Sequence, residues 1–253
     1  MNSKHHNRFS TSLNAPAQGR GKGALSVYFR SLSDLLFPRF CLGCEQRLDI
    51  DERLVCEACK ARLFRLRLDW TDNFRLEQWF VFPAVKRVVG FTVYKLGGLA
   101  ATLVQQAKYR RHPELGRWMG RLAASELVPT DAFQGVDVIV PMPLARKKFK
   151  ERGFNQAEQI ALGVSEVIGV PVRNDLMERV LYKESQTHFR REQRFGNADN
   201  SFRAPDPDAL RGHHVLLVDD VLTTGSTLDS VILQLKDIPQ ISITVFAWAW
   251  TLS

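Results

Sequence analysis

Alternating strand-like and helical patterns predict an α/β fold, in which a mostly parallel, twisted sheet is flanked by helices. A small N-terminal zinc-binding domain with four cysteine ligands is expected to precede it. Short apolar runs alternate with stretches of helical period, and this alternation implies a parallel sheet with right-handed crossovers. The four cysteines of the chain all lie within residues 41–59, which indicates a separate small domain before the sheet.

Glycine and proline residues bound the predicted elements. Gly97-Gly98 ends the first strand, and Gly169-Val170-Pro171 forms a turn before the third. The predicted strands are residues 88–94, 136–140, 176–182, 215–218 and 241–248. The predicted helices are residues 24–37, 99–109, 115–127, 154–167 and the pattern from 228 to 235.

Length and charge set the broad class of the protein. The 253 residues divide into a disordered tail (1–23), an N-terminal helix with a zinc ribbon (24–83), and a larger α/β domain (84–253). A net charge of +8 favours polyanionic partners such as nucleic acid or phosphorylated metabolites. The sequence has no apolar run of the roughly 18 residues that a membrane span needs, and its polar N-terminus lacks a secretory pattern. We therefore expect a soluble, cytoplasmic protein.

Two Cys-x-x-Cys pairs predict a metal site. Cys41 and Cys44 are separated from Cys56 and Cys59 by eleven residues, which is the ligand count and spacing of a tetrahedral zinc site. The alternatives are two disulfides, which are rare in cytoplasmic proteins, and a redox-active pair. A closed site of four thiolates leaves no position for a substrate, so the predicted role of Zn²⁺ is structural.

The stretch from Val215 to Thr227 carries the chemistry of a phosphate site. A buried strand ends in Asp219 and Asp220, and a hydroxyl-rich turn with one glycine then leads into a helix. Free backbone N–H groups at the helix start favour a phosphate, whereas the two acids suit sugar hydroxyls or Mg²⁺. The alternative is a buried strand, a turn and a helix capped by Asp220 or Ser226. The pattern closely resembles the phosphoribosyl pyrophosphate (PRPP) motif of type I phosphoribosyltransferases.

Two further segments have the composition of ligand-binding loops. Five cations within residues 146–152 follow the Pro141–Leu144 loop and are expected to meet a pyrophosphate or a nucleic-acid backbone, or to form a solvated face. Residues 183–200 are strongly polar, which is typical of a lid over a phosphorylated substrate or of a plain surface loop. Basic and aromatic residues also interleave over residues 60–82, where they favour either single-stranded nucleic acid or a small core beside the zinc site.

From about residue 37 onward, six ordered motifs resemble the competence protein F (ComF) family, phosphoribosyltransferase-like proteins with an N-terminal zinc ribbon. The motifs are Cys41-x-x-Cys44, Cys56-x-x-Cys59, residues 108–110 before 113–116, residues 141–144, residues 152–157 and residues 215–227. One departure is Gln186-Thr187-His188-Phe189, where many relatives have a Gln-x-Gly-Leu-like lid sequence.

The resemblance implies a type I phosphoribosyltransferase fold and a PRPP pocket. Asp219 and Asp220 would bind the ribose hydroxyls. The 5-phosphate would lie on Thr223, Thr224, Gly225, Ser226 and Thr227, and the pyrophosphate with its Mg²⁺ on Pro141, Met142, Pro143 and Leu144. Lid or basic contacts would come from Lys147, Arg152, Lys183, Arg190 and Arg191.

Two classes of function follow from this resemblance. One is a competence factor that binds PRPP and acts in DNA uptake, with single-stranded DNA or DNA-processing proteins as partners. The other is an active phosphoribosyltransferase that transfers ribose 5-phosphate from PRPP to a nitrogen acceptor.

Overall fold

A computed structural model describes residues 37–66, 82–109, 112–180 and 201–251 of the protein. The strands are β1 (Val85–Val93), β2 (Val138–Pro141), β3 (Glu178–Arg179), β4 (Phe202–Arg203), β5 (His214–Leu222) and β6 (Ser242–Trp250). The α-helices are α1 (Glu57–Arg62), α2 (Leu99–Tyr109), α3 (Pro113–Leu127), α4 (Arg146–Arg152), α5 (Gln156–Ile168) and α6 (Ser226–Leu235). Short 3-10 turns lie at Val128–Thr130 and Pro207–Leu210.

Four strands form the parallel sheet that the sequence predicts, in the order β1-β6-β5-β2. The prediction of a sheet strand over residues 176–182 is wrong in its place and length. Within its described part, residues 176–180, the strand is limited to Glu178–Arg179, which pairs antiparallel with β4 in a separate two-stranded ribbon. The segment begins with the buried pair Leu176-Met177, whose apolar character gave it the appearance of a longer strand.

The sheet has a buried core on each face, because successive side chains of a strand point to opposite sides. On β5, Leu216 and Val218 pack with the face that α2, α3 and α5 cover. Val215 and Leu217 pack with the opposite face, beneath α6. The apolar run of β5 is therefore buried on both faces, as its composition predicts.

Helices α3 and α5 approach each other closely at glycine residues. A Cβ atom on Gly163 would lie 2.1 Å from the carbonyl oxygen of Arg117, and one on Gly120 would lie 2.1 Å from that of Ile160. Only hydrogen in place of a side chain allows this separation. The pair is fixed on the sheet by Trp248, whose Nε1–H donates to the carbonyl of Met119 at 3.1 Å.

The cysteine-containing segment packs against β1, α2 and α3. The hydroxyl of Thr92 donates to the carbonyl of Phe64 at 2.7 Å, and the Leu66 N–H donates to the carbonyl of Phe91 at 2.9 Å. Arg65 forms an ion pair with Glu126 at 2.6 Å. The boundary near residue 83 between a zinc-binding and a larger domain stays a prediction.

Several predictions fall on residues outside the described ranges. These are the tail (1–23), nearly all of the predicted helix over residues 24–37, and the lid contacts Lys183, Arg190 and Arg191. Within the described ranges, no helix combines the length and apolar character needed to cross a membrane.

Candidate functional site

Two adjacent carboxylates lie at the carboxyl edge of the sheet, near the end of β5. Asp219 lines a small cavity with Met142 and Leu228, on the face that α6 covers. Asp220 points to the opposite face, where its Oδ2 lies 2.8 Å from Nζ of Lys108 in the last turn of α2. The backbone N–H of Asp220 donates to Oδ1 of Asp219 at 2.8 Å, which fixes the orientation of the Asp219 carboxyl group.

The environment of Asp219 favours its neutral form. Burial, and after it the negative charge of Asp220, raise the pKa of this carboxyl group to about 7. The hydrogen bond from the Asp220 N–H and the charge of Lys108 oppose this rise in pKa but do not cancel it. Two neighbouring acids thus differ in role at neutral pH: Asp220 pairs with a cation, and Asp219 titrates near pH 7.

Lys108 is a site residue that is not among the predicted pocket residues, although residues 108–110 are one of the six motifs. Its cluster, residues 108–111, has two interpretations from sequence: a helix end whose charge complements the helix dipole, or a group that faces an anionic ligand. In the structure its amino group instead contacts one of the two acids. The sequence does contain one indication of this contact. Side chains alternate between the two faces of a strand, so one of two adjacent acids must point to the face opposite the other.

The hydroxyl-rich turn opens α6 without a side-chain cap. Gly225 is the N-cap residue, has a φ of +84° and has no side chain to accept the first N–H groups. The alternative in which Asp220 or Ser226 caps the helix is therefore wrong. Thr223, Thr224, Ser226 and Thr227 are exposed around this start, with Thr224 Oγ1 3.3 Å from Ser226 Oγ. An uncapped helix start with surrounding hydroxyl donors is suited to bind an anion.

The Pro141–Leu144 loop lies beside the acids, because β2 and β5 are neighbouring strands. The Met142 N–H donates to the carbonyl of Val218 at 2.8 Å. The chain therefore stays hydrogen-bonded to β5 for one residue after β2 has ended. Nδ2 of Asn155 donates to the Met142 carbonyl at 3.0 Å, while its Oδ1 caps α5 by accepting from the Ala157 N–H. The loop is thereby held to the start of α5.

The basic run after this loop forms a helix, α4, whose N-terminal end carries the exposed Lys147. At the other end, Arg152 lies 5.4 Å over the ring of Tyr109, and its Nη1 donates to Oε1 of Gln156 at 2.6 Å. The Gln156 Nε2 group is buried and has no hydrogen-bond partner within the described ranges. Arg152 therefore contacts the end of α2, one residue from Lys108, whereas Lys147 contacts neither acid.

The four cysteines form a compact sulfur cluster. Their sulfur atoms lie within 4.8 Å of one another, and Sγ of Cys44 is 3.7 Å from Sγ of Cys56. Zn–S bonds of about 2.3 Å in a tetrahedron place sulfur atoms about 3.8 Å apart, which fits this separation. Backbone N–H groups of Gly43 and Cys56 donate to Sγ of Cys41 at 3.3 Å. The cluster can hold a metal ion such as zinc.

The pKa values of two of these thiols are shifted in opposite directions from the ordinary value of a cysteine. Burial raises the pKa of Cys41, but hydrogen bonds from three backbone N–H groups outweigh it and lower the value to about 7. Burial, together with the neighbouring cysteines, raises the pKa of Cys59. The backbone donors at Cys41 therefore stabilise the thiolate form, which is the form that binds metal.

Comparisons with known proteins agree with this architecture. Residues 142–243 match the family described as phosphoribosyl transferase domain. The chain is 28% identical over 210 residues to DNA utilization protein YhgH of Salmonella typhi, covering 78% of this chain and 90% of that protein. It is 30% identical over 133 residues to competence protein F of Haemophilus influenzae, covering 51% and 58%.

A solved structure of glutamine phosphoribosylpyrophosphate amidotransferase from B. subtilis is 14% identical, with a TM-score of 0.40 over 57% of this chain and 30% of that chain. The phosphoribosyltransferase match covers the Pro141–Leu144 loop from Met142 onward and the whole of the acidic strand end, and the parallel sheet has the corresponding type I fold. The chain thus contains a phosphoribosyltransferase-like domain and is similar, over much of its length, to bacterial proteins named for DNA utilization and for competence.

Proposed function

We propose that the protein binds PRPP with Mg²⁺ at the carboxyl edge of the sheet and acts in DNA utilisation during competence. The observation that carries the PRPP assignment is the uncapped start of α6, which follows the two acids after the end of β5 and a short hydroxyl-rich turn. A phosphate monoester on the free N–H groups of Ser226 and Thr227 brings a ribose toward the end of β5. No lysine lies in this turn, so the site differs from the P-loop of an ATPase.

The acids are proposed to bind the ribose and the metal-bound phosphates. Asp220 forms an ion pair with Lys108 when no ligand is bound. When PRPP binds, the ribose hydroxyls or the metal ion replace Lys108 as the partner of Asp220. The Pro141–Leu144 loop beside β5 provides the second phosphate position. The start of α5, to which this loop is hydrogen-bonded, carries the unpartnered Nε2 group of Gln156, whose Oε1 accepts from Arg152. Lys147 and the lid residues Lys183, Arg190 and Arg191 are proposed to approach the same pyrophosphate. Mg²⁺ would neutralise part of that charge.

The proposed role in competence comes from the relatives. One is named for DNA utilisation and the other for competence. The charge of +8 supports a polyanionic partner, and we propose single-stranded DNA or a DNA-processing protein. The proposed place of action is the cytoplasm, where a cluster of four free thiols stays reduced.

Calorimetric titration tests the PRPP assignment. We expect PRPP with Mg²⁺ to bind one site per chain, and Asp220→Asn to weaken it at least tenfold, since a charged hydrogen bond is worth about 1.5–3 kcal/mol. Asp237→Asn is the matched control, because Asp237 is an exposed acid that pairs with Lys236 just beyond the opposite end of α6. If the Asp220→Asn variant binds PRPP as tightly as the wild type does, the assignment of the acids to the pocket is wrong.

The role in competence needs a separate experiment. The wild-type gene is expected to restore DNA uptake to a Haemophilus influenzae strain that lacks competence protein F, and the Asp220→Asn variant is expected not to restore it. If both genes restore DNA uptake equally, the role in DNA uptake does not depend on PRPP binding.

A second candidate function is transfer of ribose 5-phosphate to a nitrogen acceptor. The observation that favours it is the pKa of Asp219, which burial raises to about 7. A carboxyl group that titrates near neutral pH is suited to accept a proton from an attacking nitrogen. Release of pyrophosphate from PRPP with a pool of nitrogenous bases, lost in Asp219→Asn, would establish this reaction. Absence of release with every base would leave the binding function alone.

The cysteine cluster is proposed to hold one structural Zn²⁺. All four thiolates coordinate this ion, namely those of Cys41, Cys44, Cys56 and Cys59. A tetrahedral site with four protein ligands leaves no coordination position for a substrate. Elemental analysis is expected to find one zinc per chain. Chelation is expected to lower the melting temperature, because the ion stabilises a segment with a small core. A metal-free protein of unchanged stability would contradict a structural role.

A further inference from the structure

A cavity of about 350 Å³ lies between the cysteine-containing segment and the first turn of α2. Its wall includes Leu63 and Phe64 after α1, the end of β1, and Leu99 at the start of α2. This volume lies within the range of small-ligand pockets, at its lower end. The phosphate site described above uses none of these residues.

The cavity opens at the same edge of the sheet as the two acids. Thr92, which lines it, pairs with Ala249 of β6, and Ala249 pairs with Val221 of β5. Two strand spacings of about 4.8 Å place the cavity roughly 10 Å from the acidic strand end. A molecule in the cavity would therefore lie beside PRPP and would not compete for its site.

The apolar side of the cavity includes an aromatic ring that is largely open to solvent. Leu63 is buried, whereas Phe64 is 68% exposed. The backbone of Phe64 is nevertheless fixed, because its carbonyl accepts the hydroxyl of Thr92 at 2.7 Å. An exposed phenylalanine on a fixed backbone offers a flat apolar surface on which a second ring can pack.

The rim of the cavity is positive. Arg62 and Lys95 line it, and neither has an ion-pair partner within the described part of the chain. Two basic residues nearby differ from them in having acidic partners, because Lys60 pairs with Glu57 and Arg65 pairs with Glu126.

The start of α2 adds to this positive charge. The carbonyl of Gly98 accepts the Thr102 N–H at 3.0 Å, so Gly98 precedes the helix without a capping side chain. The first turn contains no acidic residue. A helix start of this kind attracts an anion.

We propose that this cavity binds a small aromatic acid, a compound of one or two rings that carries a carboxylate or similar anionic group. Its ring packs against Leu63, Phe64 and Leu99, and its anionic group lies toward Lys95 and the start of α2. The volume of this open cavity suits a small molecule, and the charge of the rim selects an anion over a neutral ring. The inference concerns binding alone and holds whether or not PRPP binds.

Fluorescence titration of the full-length protein with 2-naphthoate tests this inference, and 2-naphthamide serves as its neutral isostere. We expect naphthoate to bind at least tenfold more tightly than the amide, because only the acid matches the charge of the rim. Phe64→Ser is expected to weaken both compounds about fivefold or more. Lys95→Glu is expected to weaken naphthoate selectively.

Two control variants separate this site from general surface adsorption. Phe40→Ser removes a ring that is 55% exposed but does not line the cavity. Lys86→Glu reverses a charge on β1 near its opposite end, whereas Lys95 lies just beyond the end of that strand at the cavity. Both are expected to bind naphthoate like the wild type.

Three results would overturn the proposal: no binding of naphthoate, equal binding of acid and amide, or variants of Phe64 and Lys95 that bind like the wild type. The PRPP titration is run on the same samples. Phe64→Ser is expected to leave PRPP affinity unchanged, so failure of the aromatic site and failure of the PRPP site give different results.

Discussion

Replacing Asp219 by asparagine is expected to stabilise the protein at alkaline pH. Burial and the charge of Asp220 raise the pKa of Asp219 to about 7 from an ordinary value of 3.8. At pH 8 the folded protein must therefore hold a carboxylate that its surroundings disfavour. Asparagine has no charge, and its Oδ1 can still accept the N–H of Asp220.

The size of the effect follows from the pKa difference. The rise of the Asp219 pKa from 3.8 to about 7 corresponds to a free energy of about 4 kcal/mol at most. Asp219 is only half-buried as a residue, so we expect about half of that value, ~2 kcal/mol. The folded state binds this proton more tightly than the unfolded state does. The free energy of unfolding therefore falls as the pH rises from about 4 to about 7.

Urea denaturation of wild type and Asp219→Asn at pH 4 and pH 8 measures this dependence. The variant is expected to match the wild type within about 0.5 kcal/mol at pH 4 and to exceed it by ~2 kcal/mol at pH 8. Asp237→Asn, at an exposed acid, is the control and should change neither value. A variant that is less stable than the wild type at pH 8 would refute the reasoning.

Three further predictions concern the site and its supports. Lys108→Gln is expected to raise the pKa of Asp219 above 7, because the charge of Lys108 lowers it; a ¹³C NMR titration of the carboxyl group would detect this, and an unchanged pKa would contradict it. Gly163→Ala is expected to cost about 3 kcal/mol or more in thermal unfolding, since its Cβ would lie 2.1 Å from a carbonyl oxygen of α3. Gly169→Ala, with a φ of +74° but open space around it, should cost only about 1 kcal/mol, and equal losses would contradict the close contact. Gly225→Ala, at a φ of +84°, is expected to weaken PRPP binding in calorimetry by distorting the start of α6, and unchanged affinity would count against the cradle.

Local sequence patterns predict much of the sheet and its helices. Helix α2 begins and ends at the predicted residues, Leu99 and Tyr109, because Gly97-Gly98 interrupts the preceding strand and a regular apolar period follows. The apolar run after His214 predicts a strand buried on both faces, and the cysteine spacing predicts the sulfur cluster. These features depend on residues that are close in the sequence.

Contacts between distant segments could not be predicted in the same way. Lys108 and Asp220 are far apart in the chain, and their ion pair depends on how α2 lies across the sheet. The basic run of α4 has too few apolar residues to show a helical period. The cavity at Phe64 exists only because the cysteine-containing segment packs on β1 and α2. Each of these features follows from the tertiary arrangement.

A crystal structure of the protein with PRPP and Mg²⁺ would test the central claim most directly. We expect the 5-phosphate on the N–H groups of Ser226 and Thr227, the ribose hydroxyls within hydrogen-bond distance of the Asp219 and Asp220 carboxylates, and the pyrophosphate beside the Pro141–Leu144 loop. PRPP bound elsewhere, or a start of α6 without phosphate at saturating PRPP, would contradict the assignment.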